Sequence, residues 1–388
     1  MNRKIVISVN TAWNICNFRS GLVRALVERG YDVMVLARSD EYACRLAALG
    51  CRFKLLSMEA NGTSPGRDLA LLVKYRRVLQ SLRPLAFLGY TIKPNVYGSI
   101  AANGLQIPVI NNIAGLGTGF LHGSLLSCLV KRLYRHALRR SRRVFFQNAD
   151  DRRLFLDAGL AREQVAEVLP GSGIDLGHFQ PAPRSVAGGR GFRFLLVGRL
   201  LKDKGVEEFA AAAEIVLRQR ADVSFQLLGA ADPDNPNAIP AERIRCWEDR
   251  GLLRHLARTD DVRPYLAEAD CIVLPSYREG VPHSLLEAAA MARPIIATDV
   301  AGCRDVVDDG RNGFLCQARS AADLADKMLR MAALAPWQRD LMGEYGHAKV
   351  AAQFDVNIVI ARYLDAIDEI ESGRQQARVL GMDAGGVA

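Results

Sequence analysis

At 388 residues the chain is long enough for two domains, its 49% hydrophobic content is that of a globular protein, and no stretch reaches the roughly 18 apolar residues of a membrane span. The net charge of +9 is uneven: residues 1–180 hold 25 Lys+Arg and 12 Asp+Glu, a balance of +13, and the remainder holds 26 and 30, a balance of −4. The eight cysteines (16, 44, 51, 128, 246, 271, 303 and 316) include no Cys-x-x-Cys, which supports neither a disulfide framework nor a zinc site and fits a reducing cytoplasm.

Met1-Asn2-Arg3-Lys4 leads straight into Ile5–Val9, which reads as a first strand, with no cleavage-site pattern behind it. A helix from about Ser20 to Arg29 follows, then a strand at Val33–Ala37, a helix from Glu41 to Leu49 and a strand at Phe53–Leu56. Further strands fall at Leu85–Leu88, Val109–Ile113 and Val144–Gln147. Alternation of this kind predicts a parallel sheet with helices on both faces.

No Asp or Glu occurs from Leu69 to Ala149, while that span carries twelve Lys or Arg, densest from Lys131 and Arg132 through Arg135, Arg139, Arg140, Arg142 and Arg143. A basic run can be a solvated helix face, but so long an acid-free stretch points to an anionic partner: a membrane surface, a diphosphate or nucleic acid. No RNA-binding aromatic motif, zinc-finger spacing or basic zipper accompanies it, so nucleic acid ranks last.

Residues 181–191, rich in Pro, Gly and Ala, read as a linker. Alternation then restarts with strands at Phe192–Val197, Val223–Leu228, Cys271–Leu274 and Pro294–Ala297 and helices at Val206–Arg218, Ala321–Leu334 and about Asn357–Glu371. The expected organisation is an acceptor-binding lobe over 1–180, the linker, a nucleotide-binding lobe over 192–355, a helix over 356–372 returning to the first lobe, and a disordered tail over 373–388. Two such lobes are expected to enclose a cleft lined by their carboxyl-end loops.

Ser276-Tyr277-Arg278-Glu279-Gly280-Val281-Pro282-His283-Ser284-Leu285-Leu286-Glu287 reads as strand end, loop and helix start, with Ser284 as cap. Glu279 then lies before a helix N-terminus and Glu287 near its first turn, on either side of free backbone N–H groups suited to an anion. Hydroxyl-bearing groups flanking a diphosphate match that layout, as in a sugar nucleotide. Gly198-Arg199-Leu200-Leu201-Lys202-Asp203-Lys204-Gly205 places Arg199 and Lys204 at a strand's carboxyl end, where cations could meet a departing diphosphate. As isolated features they would be surface cations near a turn.

Together with Ile296 to Gly302, Arg304-Asp305-Val306-Val307 and Gly310-x-Asn312-Gly313, these motifs resemble the family 4 glycosyltransferases, the glycosyl transferases group 1 domain. The first lobe, on Asn10-Thr11-Ala12-Trp13, Asn17-Phe18-Arg19 and Ala114-Gly115-Leu116-Gly117, resembles the subgroup building bacterial capsule, O-antigen and lipid-linked glycans. It is similar in layout to N-acetylgalactosaminyltransferases acting on undecaprenyl-diphosphate sugars. The resemblance implies an α/β GT-B fold and retaining, metal-free transfer from a UDP-sugar to a polyprenyl-diphosphate-linked glycan. The sugar would be an N-acetylhexosamine, and the protein would work peripherally on the cytoplasmic face of the plasma membrane.

By the same resemblance Arg199 and Lys204 hold the diphosphate, Glu279 the donor sugar and Glu287 the ribose, while Val262 meets the base. The N–H groups around Gly280, Val281, Ser284 and Leu285 complete the cradle. Asn17, Arg19, Gly115 and Gly117 lie on the acceptor side, and His122 stands for the family's first-lobe histidine near the anomeric carbon. Two departures are visible: Asn10–Asn17 lacks the Gly-Gly pair of many relatives, and Ala292-Arg293 stands where Gly is common.

Gly115 to Gly119 does not fit a dinucleotide fingerprint, because Phe120 stands at the last glycine position and no acid follows at the ribose spacing. His136, His178, His255 and His347 show no partner pattern, His283 lines the donor loop, and Asp232 and Asp234 read as turn residues. The alternatives are a two-lobed UDP-sugar 2-epimerase and a non-catalytic basic membrane-binding module.

Overall fold

The computed structural model describes residues 3–58, 64–115, 125–181, 191–231 and 235–379. The chain divides into two compact units, Met1–Ser172 joined by the chain from Asn357 onward, and Gly173–Val356.

The first unit is built on seven strands: β1 (Lys4–Thr11), β2 (Asp32–Arg38), β3 (Arg52–Leu55), β4 (Ala86–Tyr90), β5 (Val109–Ile113), β6 (Arg143–Phe146) and β7 (Ala166–Val168). They pair in the order β3-β2-β1-β4-β5-β6-β7, all parallel. Helices α1 (Ala12–Phe18), α2 (Ser20–Glu28), α3 (Pro65–Leu82), α4 (Ser99–Gly104), α5 (Leu125–Leu138) and α6 (Ala149–Asp157) connect them. The central strands are apolar without alternation because both faces are covered, so Ile5, Val6 and Ile7 are all fully buried.

The second unit carries β8 (Phe192–Val197), β9 (Val223–Leu228), β10 (Arg254–Leu256), β11 (Cys271–Leu274), β12 (Ile295–Thr298) and β13 (Gly313–Cys316), parallel in the order β10-β9-β8-β11-β12-β13. Its helices are α7 (Val206–Leu217), α8 (Ala241–Asp249), α9 (Arg263–Glu268), α10 (His283–Ala290), α11 (Cys303–Val306), α12 (Ala321–Ala333) and α13 (Pro336–Gln353). Helix α14 (Val356–Val379) follows. Each sheet reverses strand order once, at β1/β4 and at β8/β11. Ligands of open parallel sheets bind at the carboxyl ends of such neighbours.

Several sequence expectations shift. The boundary falls at Ser172/Gly173, not in the 181–191 stretch, because Ile174 and Phe179 are buried in the second unit's core and Ile174 bridges Asp355. Helix α14 packs Val359, Tyr363, Ile367 and Ile370 into the first unit's core and runs on to Val379 where a disordered tail was expected from 373. Residues 43–49 form a 3-10 helix (Ala43–Leu49) rather than an α-helix from Glu41, and the 18-residue α3 was not foreseen.

The basic run is also less uniform than a single stripe. Arg135 donates to the carbonyls of Gly159 and Ala158, and Arg143 forms a two-pronged pair with Glu369 of α14. Arg139, Arg140 and Arg142 are exposed beyond the end of α5. None of the eight cysteines is in a disulfide. Among the described residues no helix is long and apolar enough to cross a membrane.

Candidate functional site

In the second unit the loops leaving β8 and β11 meet at the sheet's reversal point. Lys204, in the 3-10 turn Lys202–Lys204, is ion-paired with Glu279 of the loop after β11. Both side chains are largely enclosed, 21% and 11% exposed, so the pair is shielded from competing water. Gly205 makes the approach possible. Its φ is +70°, and a Cβ there would lie 2.1 Å from the carbonyl oxygen of Pro275.

Tyr277 ties the same two loops together. Its N–H donates to the Asp203 carbonyl at 2.9 Å and its hydroxyl to Glu208 at 2.6 Å, while Arg319 lies 4.5 Å over its ring. The loop after β12 closes against the other side. Gly302, at φ +79°, puts its α-carbon where a Cβ would sit 1.8 Å from the Gly280 carbonyl oxygen. Glu279 and Gly280 are thus held between two neighbouring loops, by the Lys204 side chain on one side and the Gly302 backbone on the other.

Arg199, at the carboxyl end of β8, is exposed and has no side-chain hydrogen bond or ion pair among the described residues. A guanidinium in that state remains available to an anion. Helix α10 begins with Pro282 as its cap residue, so Ser284 is not the cap but the second residue of the first turn. Leu285 is fully buried, and its N–H donates to the Pro282 carbonyl at 3.1 Å within the first turn of the helix. Val281 is also buried and packs in the core cluster that contains Leu285.

Glu287 lies two residues deeper in its helix than expected, 14% exposed, with Oε1 3.5 Å from His283 Nε2. That contact is too long for a strong hydrogen bond, so burial governs, and it pushes the carboxyl up to about 8. Val262 caps α9 and packs on the cluster holding Val281 and Leu285. Beside it Arg263 grips Asp261 through Nε and Nη2, both at 2.8 Å, and holds that carboxyl below its ordinary range.

Sequence reasoning missed two parts of this assembly. The i,i+4 spacing of His283 and Glu287 could have revealed their pairing. Nothing local could have shown that the Phe179 ring, edge-on to its neighbour His178 at 4.9 Å, also stands edge-on to His283 at 6.5 Å, since these two meet only through the fold.

On the first unit, Arg19 is 6% exposed and stacks 4.0 Å over Tyr90, with no hydrogen-bond partner for its Nε. Buried oxygens of Asn10, Asn14, Thr91 and Asn112, at or beyond the carboxyl ends of β1, β4 and β5, are likewise unpartnered among the described residues. Unsatisfied buried polar atoms gathered at a reversal point mark a place where ligand or water completes the bonding. Asn17 donates to its own helix at the Trp13 carbonyl and is not part of that group. Gly115 follows β5 at φ +116°. Gly117, His122, Asp232 and Asp234 lie outside the described residues. Among those described, no three His, Cys, Asp or Glu side chains gather as a metal-binding group.

Residues 191–333 match the model of the glycosyl transferases group 1 domain, and residues 18–171 that of the glycosyl transferase 4-like domain. The N,N'-diacetylbacillosaminyl-diphospho-undecaprenol alpha-1,3-N-acetylgalactosaminyltransferase of Campylobacter jejuni is 27% identical over 372 residues, covering 92% of this chain and 96% of its own. The UDP-Gal:alpha-D-GlcNAc-diphosphoundecaprenol alpha-1,3-galactosyltransferase of Escherichia coli is 24% identical over 68% of this chain and 70% of its own. Among solved structures, Anabaena HepE in complex with UDP and glucose superposes with a TM-score of 0.78 at 17% identity, covering 94% of this chain and 99% of its own. Sucrose-phosphate synthase from Thermosynechococcus elongatus gives 0.76 at 19%, covering 95% and 99%. The fold is GT-B.

Proposed function

Because the chain belongs to the glycosyltransferases that join a 4-like domain to a group 1 domain, we propose that it transfers an N-acetylhexosamine from a UDP-sugar to a polyprenyl-diphosphate-linked glycan. The product would serve bacterial surface polysaccharide or lipid-linked oligosaccharide synthesis. The observation that carries this reading is the enclosed Lys204–Glu279 pair at the β8/β11 reversal, with exposed Arg199 on the same strand end.

Arg199 and Lys204 supply positive charge where the diphosphate gains negative charge as the glycosidic bond breaks. Glu279, fixed by Lys204, accepts hydrogen bonds from the donor sugar's hydroxyls, and Glu287 does so from the ribose. Two side-chain cations in this role support transfer without a metal or other cofactor.

Retention of configuration fits the scarcity of a free base on the first unit. Asp68 is occupied by Lys93 and Tyr97, and Asp40 accepts the N–H groups of Trp13 and Tyr42. In the front-face route the anomeric carbon's bond to the β-phosphate oxygen breaks and its bond to the acceptor oxygen forms on the same face. The acceptor proton passes to the departing phosphate oxygen. The acid-free span, with Arg139, Arg140 and Arg142 exposed, supports peripheral attachment to the anionic cytoplasmic face of a membrane.

The test is turnover of UDP-N-acetylhexosamines with a polyprenyl-diphosphate-linked sugar, with and without EDTA, reading the new linkage by proton NMR. An α-linked product formed equally in chelator is expected. A β-linkage overturns retention, and loss in EDTA overturns metal independence. Conversion of the UDP-sugar with no acceptor present points instead to a 2-epimerase.

A further inference from the structure

Helix α10 starts on a fixed backbone. Pro282 caps it at φ −71°, and the Pro282 carbonyl accepts the N–H groups of Leu285 at 3.1 Å and Leu286 at 3.4 Å. The first turn is therefore set, and with it the direction of the side chain at its first residue, His283. Helical side chains lean back toward the N-terminus, so Glu287, four residues on, reaches over His283 on the same face. Their contact, 3.5 Å between Oε1 and Nε2, joins two enclosed side chains, 14% and 16% exposed. It is loose as it stands, and contacts of this kind tighten when substrate fills a site.

Glu287 makes no other side-chain hydrogen bond or ion pair among the described residues. Burial pushes its carboxyl up to about 8, so it carries a proton at neutral pH. A protonated carboxyl has a donor end and an acceptor end. The Nδ1–H tautomer of His283 offers Nε2 as acceptor for the donor end, which turns the other oxygen away from the imidazole. Without that nitrogen the carboxyl could rotate and present its O–H instead. Phe179 bounds the imidazole from another direction. Its ring lies edge-on at 6.5 Å and is itself anchored in the core cluster of Val281, Leu285 and Leu286.

We propose that His283 is a positioning residue for Glu287, turning that carboxyl so that its acceptor oxygen meets the ribose hydroxyls of the nucleotide sugar. The proposal rests on the transferase reading for the nucleotide and deepens it by naming what aims the ribose contact. The pair then selects ribonucleotides: a sugar lacking those hydroxyls leaves the aimed oxygen without a donor, and affinity falls. His283 acts through Glu287 and does not touch the reacting atoms.

UDP and 2′,3′-dideoxy-UDP serve as probes in calorimetric titrations of the full chain. The parent should prefer UDP by about tenfold or more, the scale of lost hydrogen bonds to a carboxyl. His283→Asn, whose amide is too short to reach the Nε2 position, should lose about tenfold in UDP affinity and keep its dideoxy-UDP affinity. His283→Gln can place an amide oxygen at that position and should restore most of the preference. His178→Ala, which removes the other imidazole beside Phe179, is the control and should leave the preference unchanged. Melting temperatures should stay close to the parent's throughout.

A UDP preference in His283→Asn within about twofold of the parent's overturns the proposal. An equal loss of both nucleotides also overturns it and leaves His283 as a packing residue. A parent that binds the two nucleotides equally overturns it as well, and so does a folded Gln variant that restores nothing. In turnover, His283→Asn should raise KM for the UDP-sugar about tenfold with kcat and the acceptor KM unchanged, the pattern of lost uniform binding. A chain that shows the preference and its loss yet transfers no sugar refutes the transferase reading and leaves the role of His283 standing. Normal transfer with an unaltered donor KM in His283→Asn refutes that role alone.

Discussion

Lys204 and Glu279 form an ion pair that links the turn after β8 to the loop after β11, with both side chains largely enclosed. Removing the cation alone takes the ion-pair partner from a carboxylate of 11% exposure. Lys204→Ala should therefore cost about 1–3 kcal/mol of stability, and Glu279→Ala less. The double variant should be less destabilised than the sum of the two, with a coupling of about 1–2 kcal/mol in a denaturant double-mutant cycle. Both single variants should lose at least about a hundredfold in kcat/KM, which corresponds to roughly 3 kcal/mol of transition-state binding. Additive stabilities with near-parental turnover would remove the pair from the site.

Arg199 provides the contrast. It is exposed and makes no side-chain hydrogen bond among the described residues, so Arg199→Ala has nothing in the fold to break. The melting temperature should stay within a degree or so of the parent, because surface substitutions away from special features usually change stability by less than about 0.5 kcal/mol. Transfer should nonetheless fall by two orders of magnitude or more. A variant that melts normally and turns over normally would show that Arg199 meets no diphosphate.

Burial raises the Glu287 carboxyl from 4.5 to about 8. The folded chain thus binds a proton that the unfolded chain has already released at neutral pH. The stabilisation is complete below about pH 4.5 and is lost as pH rises through about 8. At about 1.4 kcal/mol per pKa unit, the loss between these limits is on the order of 3–5 kcal/mol. Urea titrations of the ligand-free protein from pH 5 to 9 should show this decline, and Glu287→Gln should flatten it. A parallel decline in the Gln variant would place its cause elsewhere.

Much of the architecture was legible because buried parallel strands declare themselves as short apolar runs. Val109–Ile113, Phe192–Val197, Val223–Leu228 and Cys271–Leu274 fall where the sequence places them. Helix α3 was not legible. Leu71, Tyr75 and Leu79 face inward while Leu69 and Val73 face outward, so no clean amphipathic period survives. The motif loops located Lys204 and Glu279 but not their contact, which depends on two loops 75 residues apart meeting at one sheet reversal. Ser284 read as a cap because serine favours that position, yet Pro282 occupies it and fixes the backbone before the helix begins. The unpartnered oxygens of Asn10, Asn14, Thr91 and Asn112 come together only when β1, β4 and β5 align.

The basic run should bind anionic vesicles through the arginines whose side chains have no partner among the described residues. Arg143 is engaged by Glu369, whereas Arg139, Arg140 and Arg142 are exposed. Replacing those three with Gln should weaken sedimentation with phosphatidylglycerol vesicles, by roughly 1 kcal/mol for each charge near the surface, and the difference should shrink in high salt. Arg143→Gln should affect the anchoring of α14 more than vesicle binding. Unchanged vesicle binding in the triple variant would reduce the run to a solvated surface.

Ala292 stands in the left-handed region at φ +54°, in the turn between α10 and β12. An L-residue with a Cβ is strained there by about 1–2 kcal/mol, and glycine is not. Glycine also costs more conformational entropy on folding, roughly 0.5–1 kcal/mol relative to alanine, so the two effects partly cancel. The strain term is the larger, and Ala292→Gly should stabilise the second unit by about 0.5–1 kcal/mol. For a domain of this size that is a rise of roughly 1–4 °C in Tm by calorimetry. The turn packs tightly: a Cβ at Gly343 of α13 would lie 2.1 Å from the Ala292 carbonyl oxygen. If the carbonyl must hold its position against α13, the extra freedom of glycine brings no benefit and Tm falls. A fall would show that α13 packing, rather than backbone strain, sets the stability of the turn before β12.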